Sequence, residues 1–288
     1  MTLQEWQKYH YRIEKDYAKK ILLSPPHSEI RSKLLREGYD KIKEITDQYS
    51  QGLSETGHTE IVMSIIQKIV KKGGAVFDIG CARGSLIKAL AQKGYAVKGI
   101  DISLDYIKKA KEELRSLGIE HCVEYGDIDD YKYDGLFDCI VMDNVIEHII
   151  PDTVISILKK CWGMLLNNSS IIILTPHKYS GPHDISYHFL PLGSKAEGFH
   201  FKEYSFSELA GLLKKAGFME ILGYPLFLGY YKKIDLHPST WAARKAEFLE
   251  KVMERTVLRN ILKIDRRLTV RMVSILFPGI CIGVKKSE

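Results

Sequence analysis

The chain reads as an α/β protein built on a doubly wound, mostly parallel sheet. From about Glu60 onward, short β-branched runs alternate with stretches whose apolar residues recur every three or four positions, as in successive βαβ units. The first apolar run feeds directly into the turn Asp78-Ile79-Gly80-Cys81-Ala82-Arg83-Gly84, and a helical pattern follows it. With 288 residues, 45% hydrophobic and 27% charged, the chain holds enough apolar material for one sizeable core with appendages.

Residues 1–57 carry no parallel-strand signal and read as a helical cap, broken at Ser24-Pro25-Pro26-His27-Ser28; Ser28, with Arg31 to Ile45, starts a second amphipathic run. Residues 58–231 form the sheet core. Its first strand is Ala75 to Ile79 and its second Ala96 to Ile100, joined by a helix that buries Leu86, Ala89 and Leu90. A helix with Leu104, Ile107, Ala110, Leu114 and Leu117 on one face follows, with Ser103 as its N-cap. His121 to Tyr125 is the third strand and Phe137 to Met142 the fourth. Pro151-Asp152-Thr153 opens the next helix, and Ser170 to Leu174 is a fifth strand buried on both faces.

Thr175 to about Lys202, rich in His, Gly, Pro and aromatics, is a connection long enough to be functional. Ser205 to Ala216 is a helix closed by Gly217, and Met219 to Leu228 a sixth strand. Residues 232–288 supply a basic helical insertion, from about Pro238 to Ser274, and a returning edge strand, Gly279 to Lys285, belonging to the same domain.

Composition narrows the class. No apolar run approaches the roughly 20 residues a bilayer crossing needs, and the start of the chain has no secretory h-region, so a cytoplasmic location is expected. The five cysteines are widely spaced without a C-x-x-C pair, which fits reduced, buried thiols. The net charge of +6 is modest. Much of it lies between Arg244 and Arg271, a stretch that reads first as a solvated helix face and second as a contact for membrane phosphates or nucleic acid.

The turn after the first strand lies at the carboxyl edge of a doubly wound sheet, where ligands bind and where glycine lets backbone approach them. One strand later, Gly99-Ile100-Asp101 ends on an acid placed to accept hydrogen bonds from ribose hydroxyls. A dinucleotide site would need glycines at 80, 82 and 85, but positions 82 and 85 are Ala and Ser, so a pyrophosphate binder is disfavoured.

Val76 to Gly84 resembles the first motif of class I S-adenosylmethionine-dependent methyltransferases. Four further segments resemble that family in its own order: Gly99 to Ser103, Gly126-Asp127-Ile128, Asp138 to Ile149, and Leu165 to Ile173. The resemblance implies a Rossmann-like, seven-stranded sheet with its last strand antiparallel, and S-adenosyl-L-methionine as cofactor. It also implies a cofactor site made of Asp78, Gly80, Cys81, Ala82, Gly84, Asp101, Ile102, Asp127, Ile128 and Asp143. Ala82 stands where the family usually has glycine, and Asn168-Ser169 where it has Gly-Gly before the fifth strand.

Methyl transfer needs a placed nucleophile and at most one base. His148, just past the fourth strand, is the candidate base, and the Glu147-His148 pair resembles sugar and ubiquinone-biosynthesis O-methyltransferases. The pair also resembles small-RNA 2′-O-methyltransferases, which hold a metal there. Asn144 replaces one of their acids, so no metal is assigned, although His177, His183, His188 and His200 follow in the long connection. Expected from this is O-methylation of a hydroxylated small molecule or of a glycan or lipid-linked acceptor. The alternatives are an RNA methyltransferase gripping its substrate through 244–271 and a non-catalytic S-adenosylmethionine-binding module.

Overall fold

The computed structural model describes residues 2–47, 58–133, 135–225, 236–255, 272–273, 277 and 279–286. Two helices lead the chain, α1 (Leu3–Leu23) and α2 (Glu29–Asp47), and α3 (Thr59–Ile69) precedes the sheet. There follow β1 (Ala75–Ile79), α4 (Ser85–Gln92), β2 (Ala96–Asp101), α5 (Leu104–Arg115), β3 (Val123–Tyr125), β4 (Phe137–Asp143), α6 (Val154–Gly163) and β5 (Leu165–Leu174). Then come α7 (Phe206–Ala216), β6 (Glu220–Tyr224), α8 (Thr240–Arg255) and β7 (Ile280–Val284). The seven strands run β3-β2-β1-β4-β5-β7-β6, all parallel except β7, which is antiparallel to both its neighbours.

This is the doubly wound sheet the sequence predicts, and the order reverses between β1 and β4, the switch point where such sheets bind ligands. Val76, Phe77, Ile140, Val141, Ile172 and Ile173 are fully buried because α-helices cover both faces. One core cluster joins β4 and β5 to α6 and α7; a second joins β1, β5 and β7 to α3 and α4. Caps fall where side-chain chemistry places them: Ser103 accepts from Tyr106 N, Ser205 closes a capping box with Glu208, and Gly217 ends α7 at φ 110°.

Four expectations need correction. The last strand is not at the edge: β7 inserts between β5 and β6, its fully covered residues Ile280 and Ile282 packing in the interior. His121 and Cys122 form a 3-10 turn, so β3 is shorter than expected. Asn168, at φ 62°, does not precede the fifth strand but sits within it, and β5 begins at Leu165, five residues before the expected Ser170, paired with Phe137 across a register shift. The sixth strand stops at Tyr224, before Pro225, which has no N–H to donate. Residues 226–228 of that expected strand lie outside the described residues, as do 256–271 of the basic stretch. Among the described residues, no helix is long and apolar enough to cross a membrane.

Candidate active site

At the carboxyl edge of β1 the backbone turns left-handed three times, at Gly80 (φ 77°), Ala82 (φ 45°) and Gly84 (φ 76°). Gly80 is required twice over, because its φ disfavours a side chain and a Cβ there would strike Val145 Cγ2. Ala82 adopts the same region despite its Cβ, and its N–H is held by Asp101 Oδ2 at 2.9 Å. Asp101 Oδ1 accepts from Ser103 N at 2.7 Å, so this carboxylate, 9% exposed, is held by at least two backbone donors.

Two cavities meet at Gly80 and Asn144. The first is lined on the sheet side by Asp101, Ile102, Asp127 and Ile128 and on the opposite side by His27, Arg31 and Tyr39; His148 lines it too. Asp127 is fixed by a 3.0 Å bond from Asp129 N, and burial raises its pKa. The second cavity is lined by His58, Asp78, Cys81, Ala82, Arg83 and Asp143. Asp78 is 4% exposed and makes no hydrogen bond within the described residues; burial, with Asp143 and Asp101 nearby, pushes its carboxyl far above the usual range. Asp143 Oδ1 accepts from His58 Nδ1 at 3.0 Å and from Asn144 Nδ2 at 3.1 Å, and the first of these bonds raises the His58 pKa.

Nine of the ten residues expected at the cofactor therefore line these cavities. Gly84 lines neither: it is the N-cap of α4, packed against Leu114. Cys81 lines the second cavity with its thiol buried and its pKa raised by burial, so it is inert packing rather than a nucleophile.

The 3-10 turn Ile146–His148 places Glu147 inward, fully buried, and His148 beside the first cavity. His148 Nδ1 lies 3.0 Å from the carbonyl oxygen of Phe199. A carbonyl only accepts, so Nδ1 carries the proton and Nε2 keeps its lone pair. Burial and neighbouring His200 hold the His148 pKa down at about 3, so the ring is neutral throughout the physiological range. His200 stacks edge-on against it at 4.8 Å and donates Nδ1–H to Glu203 Oε1 at 2.9 Å. Burial opposes its charge, but the Glu203 hydrogen bond, helped by Glu147, raises its pKa. Glu203, against the effect of burial, is brought to about 2 by His183 and His200. Burial pushes Glu147 up to about 7; its Oε2 accepts from Thr175 Oγ1 at 2.9 Å and its buried Oε1 has no partner among the described residues.

Donor atoms of Glu147, His148 and His200 lie within 4.8 Å of one another. One carboxylate and two imidazoles make a poor shell for a hard cation and a plausible one for a transition ion. The other histidines of the long connection serve elsewhere: His177 pairs with Glu250, His183 with Glu203, and His188 with Gln7. Sequence reasoning did not single out Tyr39, His58 or Arg31. Their positions depend on α2 and α3 crossing the sheet edge, and no local motif marks them.

A model for a methyltransferase domain matches residues 77–171. A ubiquinone biosynthesis O-methyltransferase of Coxiella burnetii is 31% identical over 112 residues, 38% of this chain and 47% of that protein. A ribosomal protein L11 methyltransferase of Caldanaerobacter subterraneus is 30% identical over 152 residues, 51% of this chain and 47% of that one. The chain thus spans about half the length of these curated relatives. The fold is shared with an S-adenosylmethionine-dependent methyltransferase from Archaeoglobus fulgidus, at TM-score 0.50 and 20% identity over 86% of this chain and 99% of that one. It is shared also with a phosphoethanolamine N-methyltransferase of Haemonchus contortus solved with S-adenosylhomocysteine, at TM-score 0.52 and 16% identity over 79% of this chain and 53% of the other. Residues 77–171 thus carry a methyltransferase domain, and motif, sheet order and relatives support the class I S-adenosylmethionine-dependent methyltransferases as its family and S-adenosylmethionine as its cofactor.

Proposed function

We propose that the protein O-methylates a hydroxylated small molecule, or a glycan or lipid-linked acceptor, with His148 as the proton acceptor. The supporting observation is that a neutral imidazole of fixed tautomer lines the same cavity as Asp101, Ile102, Asp127 and Ile128. In this reading Asp101 holds the ribose hydroxyls, and Asp127 and Ile128 the adenine. Asp78 and Asp143, in the second cavity, face the methionine ammonium alongside Gly80, Cys81 and Ala82.

When bound, the cofactor would supply an electrophilic methyl group on a sulfonium, the methyl–sulfur bond breaking to leave the neutral thioether. His148 receives the acceptor's proton at Nε2 as the new O–C bond forms. The oxygen becomes strongly acidic once alkylated, so even an imidazole held at about 3 can take that proton. Incubation with labelled S-adenosylmethionine and a panel of phenols, sugars and lipid-linked alcohols tests this. Label should enter an oxygen in wild type and fall by about 100-fold in His148→Gln, the usual scale for loss of a general base. Label entering only nitrogen, carbon or RNA rules the reading out.

One observation favours a second reading. The Nδ1–H groups of His148 and His200 are both anchored, to Phe199 O and Glu203, as the outer nitrogens of metal-bound histidines usually are. Glu147, His148 and His200 would then hold a transition ion. Zinc or manganese retained at one equivalent by wild type after dialysis, and lost in His200→Ala, would support it.

A further inference from the structure

Glu14 lies on α1, far in sequence from every motif residue, yet it is only 6% exposed. The inward face of that helix is His10, Glu14, Ala18 and Ile21, so a carboxylate occupies a position where leucine would satisfy packing. Burying a carboxylate is costly unless every oxygen is used, and here both are. Oε1 is 2.8 Å from His10 Nε2, and Oε2 accepts from the backbone N–H of Phe199 at 3.2 Å.

Phe199 is the residue whose carbonyl accepts from His148 Nδ1. Its neighbour is pinned as well: Gly198 N donates to Asp184 Oδ2 at 2.8 Å. A Cβ at 198 would strike both carboxylates, so glycine there lets Glu14 and Asp184 close on adjacent amides. The Phe199 ring packs with Ala18, Ile21 and Ile150 and lies 5.0 Å from Tyr39. The segment that orients His148 is therefore held by the N-terminal helix through a hydrogen bond as well as by apolar contact.

We propose that Glu14 is a positioning residue for His148: by fixing Phe199 it holds the carbonyl that keeps His148 in its Nδ1–H tautomer, with Nε2 free to accept. This rests on the role of His148 proposed above only for its catalytic consequence. The tautomer itself can be read without turnover. An imidazole needs a third group to set which nitrogen is bare, and here that group is a backbone carbonyl steered from another helix.

The test compares wild type, Glu14→Met and Glu14→Gln, each saturated with S-adenosylhomocysteine, by long-range ¹H–¹⁵N spectra of the histidine rings. Met preserves length and helix preference but offers only a weak thioether acceptor in place of the carboxylate; Gln keeps a carbonyl oxygen for Phe199 N. The expected result is a single Nδ1–H pattern for His148 in wild type and in Glu14→Gln, and an Nε2–H population in Glu14→Met, with S-adenosylhomocysteine affinity changed by less than about threefold. Transfer to any acceptor found should lose turnover in Glu14→Met with little change in KM, and Glu14→Gln should recover it. An unchanged His148 pattern in folded Glu14→Met overturns the proposal.

Should Glu14→Met fail to fold, amide exchange in wild type decides the matter. A Phe199 N–H held by Glu14 should exchange at least about 100-fold slower than an open amide, and unprotected exchange there overturns the proposal. If His148→Gln leaves transfer intact while Glu14→Met still shifts the tautomer, the positioning stands and only the base assignment falls.

Discussion

The two halves of the site are built in opposite ways. The half we assign to the cofactor is local: Gly80, Ala82, Asp101, Asp127 and Asp143 each sit at or just past the end of β1, β2, β3 or β4, and the sheet register alone brings them together. The half we propose for the acceptor is assembled from distant segments, with Tyr39 from α2, His148 from the turn after β4, and Phe199 to Glu203 from the long connection, tied by Glu14 of α1. A change in the first half should therefore abolish cofactor binding. A change in the second should leave binding intact and stop chemistry.

The largest effect is expected at Asp101, which accepts from two backbone amides and lines the first cavity. Asp101→Ala should weaken S-adenosylhomocysteine binding by about 100-fold or more in calorimetry, from hydrogen bonds to a charged group worth roughly 1.5–3 kcal/mol each. Binding within tenfold of wild type would break the comparison at its local half. Next comes Gly80→Ala, which combines an unfavourable φ with the Val145 contact. A loss of about 2 kcal/mol in urea unfolding is expected, from left-handed strain plus overpacking.

A smaller effect sharpens the other half. Because His148 is held at about 3, the unfolded chain takes up a proton below about 6.5 that the native ring refuses. Its contribution is complete above that pH and declines as pH falls toward 3. The stability of wild type relative to His148→Gln should therefore drop between pH 6.5 and 4.5, by at most ~1.4 kcal/mol per pH unit. A pH-independent difference would mean that the ring is not desolvated. The smallest change is expected for Ala82→Gly, which relieves the φ of 45° but frees the unfolded chain. These terms offset one another, so stability should stay within about 1 kcal/mol of wild type.

The same contrast explains what the sequence could reveal. Strands β1, β2, β4 and β7 lie within a residue of their expected bounds because β-branched runs and their punctuation are local signals. The turn at Gly80 and the acid at Asp101 were legible for the same reason. The place of β7 between β5 and β6 was not, since a short apolar run at the end of a chain carries no mark of its partners. Nor was Glu14: on a charged amphipathic helix one glutamate resembles another until Phe199 is folded against it. Ala82, unexplained by spacing, is explained by geometry. It tolerates a left-handed backbone that its N–H bond to Asp101 holds in place.

The most direct test of this division is calorimetric titration of S-adenosylhomocysteine into wild type, Asp101→Ala and His148→Gln under one buffer. The account predicts one-site binding to wild type, affinity within about threefold for His148→Gln, and loss of about 100-fold or more for Asp101→Ala. Equal losses in both variants, or none in either, would contradict it.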